Sequence, residues 1–280
     1  MSDASDHYAV FGRPIGHSLS PELHRCFAAQ TGEDLRYSRI EPEADGFAEA
    51  LQEFLAGGGH GANITLPFKA EAFERAERKT ARAEQAGSVN TLKVLDDGRL
   101  LGDNTDGAGL VRDLVVNRGW QAAGKRVLLL GAGGAARGAI GPLIASGIES
   151  LHIANRTPER ALALCEEFRA HALVSGGPLD PLPRGGFDLI VNATSASTLG
   201  LVLDLPEHLL EREPLCYDMA YGREETPFLA WAREHGATTA DGWGMLVEQA
   251  AEAFELWRGI RPETESLLAG PWSLDQASSE

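Results

Sequence analysis

Short apolar runs alternate along this chain with longer stretches in which apolar positions recur every three or four residues, a rhythm that predicts an α/β fold. Tyr8–Phe11 reads as a first strand, broken by Gly12-Arg13-Pro14-Ile15-Gly16. Ser20 as a cap and Pro21 at the first helical position predict a helix to about Gln30. Arg36–Ile40 reads as a strand and Ala44–Ala56 as a helix, ended by Gly57-Gly58-Gly59. Ala62–Ile64 is a third short strand, with helical patterns after it to about Ala86. Val89–Val94 and Arg99–Leu101 flank Asp97-Gly98, a hairpin signal.

A second unit follows. Thr105–Asn117 is helical, and the apolar run Arg126–Leu130 reads as a buried parallel strand. A glycine-rich turn leads into a helix over Ala135–Ser146, then a strand at Leu151–Ala154, then a helix capped by Thr157-Pro158. Phe187–Asn192 and Leu215–Met219 are further strands, so the unit has a doubly wound, Rossmann-like pattern. Trp243–Trp257 is helical and is expected to return to the first unit, with Gly242-Trp243-Gly244 as a hinge. The expected division is residues 1–104, an α/β substrate domain; 105–242, the dinucleotide domain; and 243–280, C-terminal helices on the first domain. Motif content thins from Glu263 to Glu280, where an unstructured tail is expected.

Composition narrows the function classes. Acidic residues outnumber basic ones 41 to 25, a formal net charge of −16, and such a field repels a phosphate backbone. Nucleic acid is therefore not expected as a partner. Cys26, Cys165 and Cys216 are scattered, without metal-ligand spacing, which suits a reducing cytoplasm and implies no metal. Met1 to His7 has no apolar signal core, and no apolar run approaches the ~20 residues of a membrane span. Monomer and homodimer both remain open.

Gly131-Ala132-Gly133-Gly134-Ala135-Ala136 matches G-x-G-x-x-G/A between a strand and a helix. Gly131 permits the tight turn, Gly133 lets backbone approach a pyrophosphate, and Ala136 packs helix on strand. The helix N-terminus offers N–H donors to phosphate. At the end of the next strand stand Asn155-Arg156-Thr157, with Arg160 one turn on, where NAD enzymes usually present a carboxylate. A guanidinium suits a 2′-phosphate, so the expected cofactor is NADP. The plainer alternative is two solvated arginines on a surface helix.

The segment Gly12-Arg13-Pro14-Ile15-Gly16-His17-Ser18-Leu19-Ser20-Pro21-Glu22-Leu23-His24 resembles the first signature of the shikimate dehydrogenase family. So do Gly61–Lys69, Ala86–Thr91, Gly102–Gly107, Asn192–Ser195, Tyr217–Tyr221 and Asp241–Ala250, in the family's order. The resemblance implies a two-domain enzyme that interconverts shikimate and 3-dehydroshikimate, with NADP, in a cleft between the domains. It implies a catalytic pair at Lys69 and Asp106, and substrate contacts at Ser18, Ser20, Asn63, Thr65, Asn90, Tyr221 and Gln249. The expected cofactor contacts are Gly131, Ala132, Gly133, Gly134, Ala135, Asn155, Arg156, Thr157, Arg160, Thr194, Met219, Gly242 and Met245, although Met245 reads as readily as a core residue.

The residue types suit that chemistry. Reducing a ketone needs a hydride, from the cofactor, and a proton, from a side chain such as Lys69. A helix start and a neighbouring carboxylate act on a lysine in opposite directions, so the pair is expected to exchange protons as a coupled unit. Serines at a helix start suit a carboxylate, and amides that donate and accept suit a polyol. Taken singly, Lys69 reads as a solvated lysine, Asp106 as a helix-start charge, Ser18 and Asn63 as turn residues, and Tyr221 as an aromatic lid. The segment Ala196-Ser197-Thr198-Leu199-Gly200-Leu201-Val202 departs from the shorter glycine-containing turn of many members. A quinate or mixed quinate/shikimate dehydrogenase is the nearest rival, and Ser20 with Arg156 argues against it. A silent binding module on the same scaffold is a second rival, opposed by the presence of both Lys69 and Asp106. A dehydrogenase for an unrelated ketone fits the paired serines and amides least.

Overall fold

Apolar runs that bury their backbone need a partner for every N–H and C=O, and two six-stranded sheets supply them. The structure, a computed structural model, describes residues 5–170, 173–222 and 224–271, apart from the side chain of Thr198. The chain divides into two compact units, Met1–Gly109 with Val247–Glu280, and Leu110–Leu246.

The first unit opens with β1 (Asp6–Phe11), α1 (Ser20–Thr31), β2 (Leu35–Ile40), α2 (Phe47–Ala56) and β3 (Gly59–Ile64), its three strands parallel. Next come α3 (Lys69–Arg75), β4 (Arg78–Lys79), α4 (Ala81–Ala86) and the hairpin of β5 (Thr91–Val94) and β6 (Leu100–Asp103). The sheet order is β2-β1-β3-β5-β6-β4, with β5 antiparallel to both neighbours. Phe11, Phe47, Phe54, Ile64, Phe68 and Leu92 pack on one face. Each buried side chain of this size contributes roughly 1.5–3 kcal/mol.

Three expectations need correction in this unit. The helical pattern toward Ala86 is interrupted, because Arg78 and Lys79 pair with Leu101 and Gly102 as a short edge strand. Ser20 lies inside α1 and does not cap it. Leu19 holds the cap position, and the Ser20 hydroxyl instead accepts from Ser18 Oγ at 3.2 Å. The segment after Glu263 is not loose up to residue 271: Thr264 Oγ1 donates to the buried Glu248 carboxylate at 2.7 Å, and Leu267 is buried. From residue 272 onward the expected tail lies outside the described residues.

The chain leaves this unit within α5 (Asp106–Arg112), which widens into a π turn over Asp113–Asn117. The second unit holds β7 (Arg126–Leu130), α6 (Gly134–Ala145), β8 (Ser150–Asn155), α7 (Pro158–Phe168), β9 (Leu173–Pro178), β10 (Leu189–Asn192), β11 (Leu215–Asp218), α8 (Pro227–Glu234) and β12 (Thr238–Ala240). All six strands are parallel, in the order β12-β11-β10-β7-β8-β9. Alternation along β7 explains its unbroken apolar run. Val127 and Leu129 face a core with Ile140, Leu143 and Leu164, while Leu128 and Leu130 face one with Leu209, Phe228 and Leu229. Both faces of the sheet are covered, as in a doubly wound fold. The winding reverses between β7 and β10, so their C-terminal ends open side by side at Gly131 and Ala193. The last helix, α9 (Trp243–Arg258), ends in the first unit, where Trp257 Nε1 donates to Leu92 O at 2.9 Å.

One ion pair ties α9 to the strand that leads into α5. Arg82 donates through Nε to Asp103 Oδ1 at 2.7 Å, through Nη2 to Asp103 Oδ2 at 2.5 Å, and through Nη1 to Glu252 of α9 at 3.0 Å. Burial alone would raise the Asp103 carboxyl, but Arg82, Thr80 and the Asn104 N–H outweigh it and hold that carboxyl below its ordinary range. Arg82→Met should cost about 3–5 kcal/mol, because it strands a buried carboxylate. The wild-type advantage is full above the unfolded carboxyl's pKa of about 3.9 and is lost as pH falls through the lower folded value. Urea midpoints of both proteins at neutral and acid pH check this, and equal midpoints at neutral pH would contradict it.

Candidate active site

Asp106, the first residue of α5, is only 8% exposed, so its carboxylate must be matched by donors. Lys69, the first residue of α3, brings Nζ to 2.6 Å from Oδ2, and Asn90 donates Nδ2 to Oδ1 at 2.8 Å. Neither lysine nor carboxylate is sealed off, since their side chains keep 21% and 12% of their exposure. The pair therefore sits at the rim of a buried polar cluster, with a face open to a ligand.

Asn90 is held from several sides. Its Oδ1 accepts from the Thr105 N–H at 2.8 Å and from Thr91 Oγ1 at 2.9 Å. Its Nδ2 also reaches Thr105 Oγ1 at 2.9 Å and Gln249 Oε1 at 3.4 Å. Gln249 enters from α9, its amide nearly buried among these groups. Asn63, at the end of β3, accepts from Tyr37 Oη at 2.7 Å and donates Nδ2 to Thr91 Oγ1 at 3.1 Å. Asn63, Asn90, Gln249, Lys69 and Asp106 thus share one hydrogen-bonded cluster.

Ser18 is buried in the turn before α1 and Ser20 is buried at the first position of α1; Arg39 clamps the turn by donating to Ser18 O at 2.6 and 3.0 Å. Thr65 follows β3, half-buried, its N–H donating to Phe11 O at 2.8 Å. Tyr221 belongs to the second unit, where it packs edge-on against Trp243 with ring centres 6.1 Å apart. Burial raises its hydroxyl above the ordinary range.

Sequence reading does not single out Thr91, Thr105 and Arg39. Thr105 stands inside the segment Gly102–Gly107, next to Asp106, and is fully buried with its hydroxyl against Asn90 and Gln249. Its place in that segment is the one available signal. Nothing local marks Arg39 as the clamp on a turn 21 residues away.

In the second unit, Gly131 has φ +110°, and a Cβ there would lie 3.0 Å from the Ala193 carbonyl oxygen. No other residue makes this turn without strain. Gly133 and Gly134 face open space where a side chain would stand, and Ala135 is exposed. Ala136 is fully buried. α6 starts with no side-chain cap and no acidic residue in its first turn, leaving N–H donors and a positive dipole end toward that space. Asn155 donates Nδ2 to Thr157 O at 2.9 Å, which shapes the turn carrying Arg156. Arg156 and Arg160 are exposed and pair with no acidic side chain among the described residues. Open space, unclaimed N–H donors and two cations fit a phosphorylated dinucleotide.

The remaining expected contacts differ in kind. Thr194 is half-buried and donates Oγ1 to Asn192 Oδ1 at 2.7 Å. Met219 donates its N–H to Asn192 O at 3.0 Å, beside the same turn. Gly242 packs against the Met219 carbonyl, too close for any side chain. Met245 is 8% exposed within the apolar core around Tyr217.

Comparison with known proteins follows this division. Residues 10–92 match the family model described as shikimate dehydrogenase substrate binding domain. Residues 113–228 match shikimate / quinate 5-dehydrogenase, and 242–268 match the shikimate 5′-dehydrogenase C-terminal domain. The chain is 55% identical over 260 residues to shikimate dehydrogenase (NADP(+)) of Thioalkalivibrio sulfidiphilus, covering 92% of this chain and 95% of the relative. An Ael1 enzyme from Pseudomonas putida superposes with TM-score 0.90 at 47% identity, covering 95% of this chain and 97% of that one. Shikimate 5-dehydrogenase from Thermus thermophilus, solved with NADP(H) and shikimate, gives TM-score 0.84 at 33% identity, covering 97% and 99%. By fold, motif and identity along most of its length, the chain belongs to the shikimate dehydrogenase family.

Proposed function

We propose that this protein catalyses the reversible, NADPH-dependent reduction of 3-dehydroshikimate to shikimate, with Lys69 and Asp106 as its acid–base pair. The observation that supports this most is the 2.6 Å contact of Lys69 Nζ with Asp106 Oδ2 at the rim of a polar cluster. The names of the relatives supply the substrate and the cofactor.

NADPH, when bound, supplies the hydride that reaches the ketone carbon. Gly133, Gly134 and the start of α6 would hold its phosphates, and Arg156 with Arg160 its 2′-phosphate. The other half of the reaction belongs to this chain. As negative charge grows on the ketone oxygen, the Lys69 ammonium stabilises it and donates the proton that completes the alcohol. Asp106 holds the ammonium in place and balances its charge. In the oxidative direction neutral Lys69 takes the hydroxyl proton. Ser18 and Ser20 would meet the substrate carboxylate, while Asn63, Thr65, Asn90 and Gln249 would meet its hydroxyls. Tyr221 would add a further contact to the substrate. Three cysteines that form no disulfide suit a cytoplasmic location.

Purified protein mixed with shikimate and NADP should generate reduced nicotinamide, and absence of turnover would end this reading. Rates with quinate and with NAD, run in parallel, separate it from a quinate dehydrogenase. Lys69→Ala should lower kcat by ~10²-fold or more while NADPH affinity stays within ~2-fold. Unchanged turnover with weakened substrate binding would remove lysine from the proton-donor role. Arg156→Asp should weaken NADPH by ~10-fold or more and leave NADH nearly unaffected, since it replaces a phosphate partner with a like charge. Equal loss of both cofactors, measured by fluorescence titration, would contradict the 2′-phosphate assignment.

A further inference from the structure

Tyr37 of β2 is absent from the segments that suggest the active site, yet its hydroxyl touches two of that site's side chains. It donates to Asn63 Oδ1 at 2.7 Å, and the Ser20 hydroxyl lies beside it. Its ring lies flat on the imidazole of His24, with centres 4.4 Å apart and planes 7° from parallel. His24 is fully buried among Phe27, Phe254 and Trp257, and neither ring nitrogen makes a well-formed hydrogen bond. Burial lowers its pKa to about 3, the nearby Asn63 side chain opposing, so the ring is a neutral platform. Four aromatic rings pack around that platform.

The contacts around Tyr37 form a line. Ser18 Oγ donates to Ser20 Oγ at 3.2 Å, the Ser20 hydroxyl lies beside that of Tyr37, and Tyr37 donates to Asn63. Asn63 Nδ2 donates to Thr91 Oγ1 at 3.1 Å, and Thr91 Oγ1 to Asn90 Oδ1 at 2.9 Å. Asn90 Nδ2 donates to Asp106 Oδ1 at 2.8 Å. Along this line, among the described residues, the Tyr37 hydroxyl stands between the serine turn and the amide cluster. Burial keeps that hydroxyl protonated, raising it well above its ordinary value against the opposing effects of Ser20 and Arg39. A permanent donor at Asn63 Oδ1 dictates which end of that amide is oxygen. Asn63 Nδ2 must then point toward Thr91 and the Asn90 carbonyl, which is where it lies.

We propose that Tyr37 is a positioning residue of the substrate site, whose hydroxyl couples Ser20 to Asn63 and sets the orientation in which both meet the substrate. The inference rests on the reading of Ser20 and Asn63 as substrate contacts. Tyr37 itself does no chemistry. It removes the rotational freedom of a hydroxyl and an amide that would otherwise be lost when the substrate binds.

Tyr37→Phe keeps the stack on His24 and deletes only the hydroxyl. The KM for shikimate should rise ~10-fold, with kcat within ~3-fold and the KM for NADP within ~2-fold, because the loss is of binding shared by ground and transition states. In an Asn63→Ala background the same change should cost ~3-fold or less, as expected for two groups acting through one contact. A parallel fall in kcat and rise of both KM values, or full additivity with Asn63→Ala, would reduce Tyr37 to a structural tyrosine. Should Tyr37→Phe not fold, the cycle of Ser20→Ala and Asn63→Ala decides in a chain that retains Tyr37. These two share no hydrogen bond among the described contacts, so coupling above ~3-fold in the shikimate KM supports transmission through Tyr37, and additivity overturns it. Wild-type turnover of shikimate is the control throughout. Its absence defeats the proposed function, whereas normal wild-type turnover with an unaltered Tyr37→Phe KM defeats only this inference.

Discussion

A carboxylate removed from water must be surrounded by donors, and the polar half of the first unit is organised around meeting that demand at Asp106. Lys69 and Asn90 satisfy its two oxygens. Asn90 in turn needs its own carbonyl and amide held, which draws in Thr91, Thr105 and Gln249. The partners come from separate places: Lys69 from α3, Asn90 from the loop before β5, Thr91 from β5, Thr105 from the turn between β6 and α5, and Gln249 from α9. A local shift in any of them would leave a buried polar group unpaired, at a cost of about 1–3 kcal/mol. The donors gathered around Asp106 therefore also keep the lysine beside it in place.

The second unit meets a different constraint, close approach of backbone to backbone. β7 and β10 lie adjacent where the sheet order reverses, and the turn after β7 must clear the Ala193 carbonyl. Gly131 clears it with a positive φ, and the chain then enters α6 with its first N–H groups unclaimed by side chains. The features of this turn that suit an anion are open space and uncapped N–H groups, as well as charge. A chain with net charge −16 can still carry N–H donors and exposed arginines that suit phosphate.

Much of this is legible in one dimension. Arg126–Leu130 reads as a fully buried strand because every residue is apolar or long, and both its faces are covered. The glycine-rich turn is legible because only glycine tolerates its backbone. The strands that sequence reading misses are edge or near-edge pieces. β4 is two charged residues, β12 is Thr238–Ala240, and β9 contains Gly176, Gly177 and Pro178. Their pairing depends on an existing neighbour and not on any pattern of their own. Ser20 looks like a cap because caps are read from residue type, while α1 in fact starts at Ser20, whose hydroxyl accepts from Ser18.

The sequence by itself determined the layered α/β architecture and the glycine turn with its following helix. These follow from periodicity and from residue-specific backbone limits, which act over a few neighbours. Tertiary structure alone decided that Lys69 and Asp106, 37 residues apart, meet at 2.6 Å. It alone brought Gln249 against Asn90 across 159 residues and laid Tyr37 between Ser20 and Asn63. Those meetings depend on sheet order and on the return of α9, and a hydrogen bond formed across such separations leaves no periodic trace in the chain.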